Sequence, residues 1–283
     1  REILNKIPIT VIVSVKNEAL NLPSCLDKLI RFAQIIVVDS GSTDDTITIA
    51  KSKGAEVLHF EWNGKFPKKR NWALQNANLR HEWILFLDAD EFVTEAFVNE
   101  VAVKTLNPNF NGFTIHFENY FMGKKLRYGY GFQKSALFRK SKGSYEKIDE
   151  DLWSHLDMEV HEHPIIEGKV GVINAKVIHK DFKSLEHYIA KHNAYSSWEA
   201  QRYLQLKQAK NNNLSLNQKI KYGLLTSGLL PAVYFFGAYF LKLGFLDGKE
   251  GFYLARFKAH YFFQIQTKVH SLKNHYNEIN IDN

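Results

Sequence analysis

Two carboxylates, Asp88 and Asp90, stand two positions apart at the end of the stretch WILFLDADE, Trp83 to Glu91. An apolar run delivers them into a loop, and residues two apart on an extended chain point the same way. Two hard oxygen donors of this kind suit Mg²⁺ or Mn²⁺, with diphosphate oxygens and water completing the shell. The spelling alone is short, since Asp149-Glu150-Asp151 repeats it in a polar stretch. Only the first instance follows a buried-strand signal. The competing reading of Asp88 and Asp90 is a solvated turn that caps a helix.

A second cluster is VVDSGSTDDT, Val37 to Thr46. Asp39 at a strand end can accept hydrogen bonds from a base or a ribose. The Ser/Gly/Thr turn after it offers backbone N–H groups near a helix start, which suits anions and polar ligands. A plain helix-capping cluster is the alternative, more natural for Asp44 than for Asp39. A third cluster, Lys68-Lys69-Arg70-Asn71, precedes a helix. An arginine fork fits phosphate oxygens, although three adjacent cations are also what a solvated helix start looks like.

These groups need a scaffold, and the first half of the chain supplies one. Ile9 to Val15 is a β-branched run. Leu20 to Phe32 has helical spacing. Ile35 to Val38 reads as a strand ending at Asp39, Asp44 to Lys53 as a helix with acids at its start, and Ala55 to Phe60 as a strand. Arg70 to Ala77 reads as a helix, and Trp83 to Leu87 as a buried strand ending at Asp88. This alternation predicts an α/β fold with a mostly parallel sheet covered by helices. Ligands of such sheets bind beyond the carboxyl ends of the strands, where Asp39 and Asp88 both fall. The stretch Gly112 to Asp181 is β-like and aromatic. From Ser184, a candidate helix cap, the spacing of Leu185, Tyr188, Ile189, His192 and Tyr195 becomes helical. The predicted domains are 1–183 and a helical region, 184–283.

Composition narrows the classes. Of 283 residues, 45% are hydrophobic and 24% charged, which excludes bulk disorder. The single cysteine, Cys25, excludes an intrachain disulfide framework and a cysteine-based zinc site, and fits a reducing compartment. Arg1 to Lys6 is polar and the apolar run after it is short, so no secretory signal is expected at this end. The net charge of +7 is unevenly placed: residues 1–182 carry 24 Lys+Arg and 24 Asp+Glu, whereas residues 183–283 carry 13 against 6. A basic excess at one end predicts an interaction surface there, for anionic lipid or nucleic acid.

Residues 9–100 resemble the family 2 glycosyltransferases, which have the GT-A fold. The match runs in order through SVKNEALNL (Ser14 to Leu22), VVDSGSTDDT, KKRNWAL (Lys68 to Leu74) and FLDADE (Phe86 to Glu91). VHEHPIIEG (Val160 to Gly168), VIHKDFKSLEHYIAKHNAY (Val177 to Tyr195) and FLDGKEGFYLA (Phe245 to Ala255) look like the subgroup containing bacterial lipopolysaccharide-core glucosyltransferases. The resemblance implies a nucleotide-sugar half over about 1–100, an acceptor half over about 101–183, and inverting transfer of a hexose, glucose foremost, from a UDP-sugar with Mg²⁺ or Mn²⁺. It implies that Asp39 contacts the uracil and Glu18 the ribose side, that Arg70 faces base or diphosphate, and that Val13 and Ala89 lie beside the nucleotide. Asp88 would meet ribose and metal, and Asp90 the metal. His179, at the end of a strand, is a further candidate metal ligand or diphosphate donor. Inverting transfer also needs a carboxylate to take the acceptor proton. In similar enzymes a late carboxylate does so, which selects Glu162 in His161-Glu162-His163, with Asp157 and Glu159 as competitors.

The basic end holds YGLLTSGLLPAVYFFGAYFL, Tyr222 to Leu241, with no charged residue. Its 20 positions at about 1.5 Å each reach about 30 Å, the thickness of a bilayer core. Pro231 and Gly223, Gly228 and Gly237 interrupt it, and Lys219, Lys221 and Lys242 flank both ends. FYLARFKAHYFF, Phe252 to Phe263, mixes aromatics with Arg256 and Lys258, which suits a headgroup layer. The reading is a broken, in-plane helical surface on the cytoplasmic face of the inner membrane. A buried helical pair and a true span are the alternatives. The implied product is a surface glycolipid or polysaccharide precursor. A metal-dependent nucleotidyltransferase uses the same acids, but its usual glycine-rich phosphate loop is absent. A nucleic-acid binder would place basic–aromatic platforms on a recognisable module, whereas residues 1–182 are charge-neutral. A transferase acting on a non-lipid acceptor, and a scaffold with a decayed site, complete the alternatives.

Overall fold

The computed structural model describes residues 6–129, 131–147, 163–208 and 216–279. The chain divides into two compact units, residues 1–125 with 131–183, and residues 126–130 with 184–283.

The first unit starts with β1 (Ile7–Val15), α1 (Leu22–Lys28), β2 (Phe32–Asp39), α2 (Thr46–Ser52), β3 (Glu56–His59), α3 (Lys69–Asn76) and β4 (Trp83–Asp88). It continues through β5 (Glu91–Phe92), α4 (Glu95–Lys104), β6 (Gly112–Phe121), β7 (Lys124–Lys125), β8 (Gln133–Arg139), β9 (Gly143–Tyr145), β10 (Pro164–Ile166) and β11 (Val170–His179). Among the described residues these strands form a nine-stranded sheet of order β3-β2-β1-β4-β8-β6-β11-β5, with β7 beside β6, and a small β9–β10 pair. The strands β3, β2, β1 and β4 run parallel. The second half is mixed. β8 lies antiparallel between β4 and β6, β6 runs parallel to β11, and β11 pairs antiparallel with β5.

β1 shows why the alternation works. Ile9, Val11, Ile12 and Val13 are fully buried, so the strand packs on both faces, as central parallel strands do. Burying one such side chain contributes roughly 1.5–3 kcal/mol. One core unites β1, β2 and β4 with Leu22, Cys25 and Leu26 of α1 and Phe97, Val98 and Val101 of α4. The helix expected over Leu20 to Phe32 is shorter, because Phe32 is fully buried as the first residue of β2. α2 likewise starts at Thr46 rather than Asp44.

Among the described residues, the 184–283 part of the second unit is mainly helical. α5 (Leu185–Gln208), α6 (Leu216–Thr226), α7 (Leu230–Phe236) and α8 (Gly248–Ile279) share a small core of Ala200, Tyr203, Leu225, Leu230, Tyr261, Ile265 and Val269. Ser184 Oγ accepts from His187 N at 3.3 Å, capping α5. Gly228 takes a positive φ of 77° between α6 and α7, and Pro231 sits in the first turn of α7, where a missing N–H costs nothing. A π-turn, Gly237–Leu241, and a 3₁₀ turn, Gly244–Asp247, then lead into α8. Among the described residues no single helix is long and apolar enough to cross a membrane. The pair Lys219–Leu225 and Leu230–Leu241, bent by 112°, meets that test only jointly.

Candidate active site

Asp39, Asp88 and His179 are the last residues of β2, β4 and β11, and Asp90 follows β4 directly in the turn beyond it. In register, β1 Val15 pairs with Asp39 and Ser14 with Asp88. Asp39 and Asp88 therefore flank β1, one strand on each side. They are not on adjacent strands, and two strand spacings put their main chains roughly 10 Å apart. A cavity of about 200 Å³ lined by Lys6, Phe32 and Glu56, among others, lies toward the amino ends of β1 and β2, and none of the candidate residues lines it.

Asp39 is fully buried, and its carboxylate turns back into its own loop. It accepts from Gly41 N at 2.9 Å, from Ser42 N at 3.1 Å and from Ser42 Oγ at 2.5 Å. His59 Nδ1 stands 3.6 Å away. Two of the N–H groups expected to face an anion are thus held by Asp39, and Gly41 takes a φ of 78° to allow it. The first motif is stitched to this loop. Asn17 Oδ1 accepts from Thr43 N at 2.8 Å, Thr46 Oγ1 accepts from Glu18 N at 2.8 Å, and Asp44 accepts from Ala19 N at 3.2 Å.

Glu18 is held from the far end of the unit. Lys183 donates to it at 2.6 Å and Asn21 Nδ2 at 2.9 Å. Burial raises its carboxyl above the usual range, and these two donors only partly oppose the rise. Asn21 also donates to Asp181 and accepts from Phe182 N, each at 2.9 Å. Val13 lies in the interior of β1 with its side chain wholly in the core, and Ala89 is 2% exposed.

Beyond β4 the chain turns sharply. Asp88 keeps a half-exposed side chain between two cations, with Arg70 Nη2 3.4 Å from Oδ1 and Lys134 Nζ 3.4 Å from Oδ2. The guanidinium of Arg70 also lies over the Tyr145 ring, 5.1 Å from its centroid. The cation triplet is no solvated face: Lys68 and Lys69 are 3% and 6% exposed. A helix-capping role for Asp88 or Asp90 fails too, because α4 is capped by Thr94, whose Oγ1 accepts from Phe97 N at 3.2 Å.

Asp90 is buried, and its partner is distant in sequence. The short β5 pairs with the end of β11, Glu91 opposite His179, which brings His179 Nε2 to 3.4 Å from Asp90 Oδ2. The other ring nitrogen, Nδ1, is 3.3 Å from Asn119 Oδ1. A proton on Nδ1 donates to that oxygen and leaves the Nε2 lone pair facing a carboxylate. Two electron-rich groups so placed favour a cation between them or a protonated ring. Asp90 and His179 therefore fit a divalent ion, with Asp88 two positions before Asp90. Among the described residues no three acid, imidazole or thiol groups form a ready-made cage. Glu162, with its competitors Asp157 and Glu159, lies outside the described residues.

The family model for glycosyl transferase family 2 matches residues 10–156, slightly over half of the chain. The chain belongs to glycosyl transferase family 2. Its α/β architecture is accordingly GT-A-like, with a mixed sheet flanked by helices. This family 2 glycosyltransferase is 28% identical over 287 residues to the lipopolysaccharide core biosynthesis glycosyltransferase LpsC of Rhizobium meliloti, covering 95% of each chain. It is 26% identical over 254 residues to an uncharacterized glycosyltransferase of Rickettsia felis, covering 86% of this chain and 83% of that one. Among solved structures, it superposes on glucosyl-3-phosphoglycerate synthase of Mycobacterium tuberculosis in complex with Mn²⁺, UDP and glucosyl-3-phosphoglycerate. That match has 24% identity and a TM-score of 0.32, over 41% of this chain and 44% of that chain.

Around the site of this family 2 transferase, Lys134 in an ordinary strand and Asn119 beside His179 carried no sequence signal. Asp181 and Lys183 belong to the VIHKDFKSLEHYIAKHNAY stretch, but nothing in it announced their reach to Asn21 and Glu18. Glu91 was visible only as the last letter of its motif. It proves almost fully buried, 1% exposed, and burial raises its carboxyl to about 7 against the pull of Lys134. Lys134 is partly buried, which opposes its charge, but the facing Asp88 and Glu91 prevail and hold it a cation.

Proposed function

We propose that this transferase moves a hexose, glucose foremost, from a UDP-sugar to a hydroxyl of a surface glycolipid or polysaccharide precursor, with inversion. The observation that carries the reading is the meeting of Asp90 with His179 beside Asp88, at the carboxyl ends of β4 and β11. Asp39 and Glu18 are assigned to the uracil and ribose side, Arg70 to base or diphosphate, and Val13 and Ala89 to the nucleotide's surroundings. Asp88, Asp90 and His179 would hold Mg²⁺ or Mn²⁺, which when bound offsets the charge growing on the leaving diphosphate. Glu162 is assigned as the base that takes the acceptor proton during in-line attack. Full-length similarity to a lipopolysaccharide core transferase supports the acceptor class.

The domains are assigned as a catalytic 1–183, with nucleotide-sugar and acceptor halves, and a basic helical 184–283. The latter is proposed to lie peripherally on the cytoplasmic leaflet of the inner membrane. Its exposed Phe236, Phe240, Leu241, Leu243, Phe245 and Leu246 stand beside exposed Lys242 and Lys249, the mixture that interfacial anchoring uses. The primary test is incubation with UDP-glucose and Mn²⁺. Release of UDP, accelerated by a lipopolysaccharide-core acceptor, supports the reading; no UDP from any UDP-sugar with any acceptor defeats it.

A further inference from the structure

Asp88 is reached by more than its own motif. Its backbone N–H donates to Glu91 Oε2 at 3.0 Å, closing the turn that ends β4. Glu91 is in turn gripped by Lys134, whose Nζ donates to both carboxylate oxygens at 2.7 Å. The same Nζ stands 3.4 Å from Asp88 Oδ2. The distances rank the contacts: 2.7 Å is a strong charge-assisted bond, and 3.4 Å is a long one. Lys134 therefore belongs to Glu91, and its charge only neighbours the Asp88 carboxylate. It arrives by tertiary pairing, since β8 runs between β4 and β6 with Lys134 opposite Ile115.

Stability alone is a poor reason for such a pair. Desolvating two charges offsets most of their attraction, and apolar replacements of buried pairs are often no less stable. What the pair supplies is geometry. A carboxylate that must accept a backbone N–H in one place needs a fixed partner, and Lys134 on a central strand fixes it.

We propose that Lys134 and Glu91 are positioning residues: together they hold the turn at Asp88 so that Asp88 and Asp90 leave β4 aimed at one ligand. The role assigned to that ligand rests on the transferase reading; the positioning itself does not.

The test uses the full chain with Lys134→Met, Lys134→Arg and Glu91→Gln. Two readouts are taken at a temperature where all variants are folded: calorimetric affinity for UDP with Mn²⁺, and hydrogen exchange at the Asp88 amide. Lys134→Met is expected to weaken UDP–Mn²⁺ binding about tenfold or more, and to speed Asp88 exchange by a similar factor. Lys134→Arg, which keeps a cationic donor, is expected to stay within about threefold. A merely structural pair would lower the melting temperature and leave affinity intact. Wild-type affinity together with wild-type Asp88 protection in Lys134→Met overturns the proposal. Should Lys134→Met not be recovered folded, Glu91→Gln decides: it keeps an acceptor but removes the charge Lys134 grips, and undiminished affinity would overturn the proposal equally. Wild-type protein that binds no nucleotide at all would sink the transferase reading, and exchange at Asp88 would still decide this one.

Discussion

His179 Nε2 lies 3.4 Å from Asp90 Oδ2, although the two residues stand far apart in the sequence of the first unit. β5 makes the meeting possible. Only two residues long, it follows the Asp-x-Asp turn directly and pairs antiparallel with the last two residues of β11. The acid and the imidazole are thereby delivered by backbone pairing and not by flexible side-chain reach.

If these two groups share a divalent ion, each substitution removes one ligand. His179→Ala and Asp90→Asn are each expected to weaken Mn²⁺-dependent UDP binding about 10- to 100-fold, the loss of roughly 1.5–3 kcal/mol for one charge-assisted contact. Titration calorimetry with and without Mn²⁺ checks it. Metal-independent UDP affinity should change little, and unchanged Mn²⁺ dependence would remove His179 from the ligand set.

Glu162→Gln separates binding from chemistry. A general base contributes typically 10²–10⁴-fold, so transfer should fall by about that factor while UDP-sugar affinity holds. Near-normal turnover would shift the assignment to Asp157 or Glu159.

Asn71, within the KKRNWAL motif, is structural. Its side chain is buried, donating to Tyr145 O and accepting from Tyr145 N, each at 3.0 Å. Asn71→Ala removes both of these hydrogen bonds from that buried edge and should cost about 2–6 kcal/mol, at about 1–3 per group. Urea unfolding measures it.

The helical unit should lose stability in mild acid. Burial, aided by the neighbouring Lys258 and Lys191, lowers His192 from an ordinary 6.5 to about 4. Between those values the unfolded chain binds a proton that the folded chain refuses, so stability is complete above pH 6.5 and falls toward pH 4. The effect is of order 2 kcal/mol after allowance for partial exposure. His192→Gln should flatten the dependence of the urea midpoint across that window; an unaltered slope would exonerate His192.

Membrane attachment is tested at the exposed turn before α8. Phe240→Ser with Leu241→Ser removes two side chains that are 48% and 83% exposed, so folding should be spared. Sedimentation with vesicles rich in anionic lipid should drop several-fold for this variant, and in wild type should weaken with salt as charge attraction is screened. Binding indifferent to both changes would refute peripheral attachment through this turn.

The alternation of strands and helices through β4 is legible in the residues alone, because burial on both faces of a parallel strand writes itself as β-branched runs. The sequence also placed Asp39 and Asp88 at strand ends, since the apolar runs stop there, and its four ordered motifs led to the family. Tertiary structure decided the rest. That Asp39 would spend its carboxylate on Gly41 and Ser42 depends on a turn of positive φ that no hydrophobic pattern encodes. The insertion of β8 between β4 and β6, which brings Lys134 to Glu91, and the pairing of β5 with β11, which brings His179 to Asp90, are contacts between segments far apart along the chain. Local propensity records how a segment wants to bend; which distant segment completes its hydrogen bonds is settled only when the whole sheet closes.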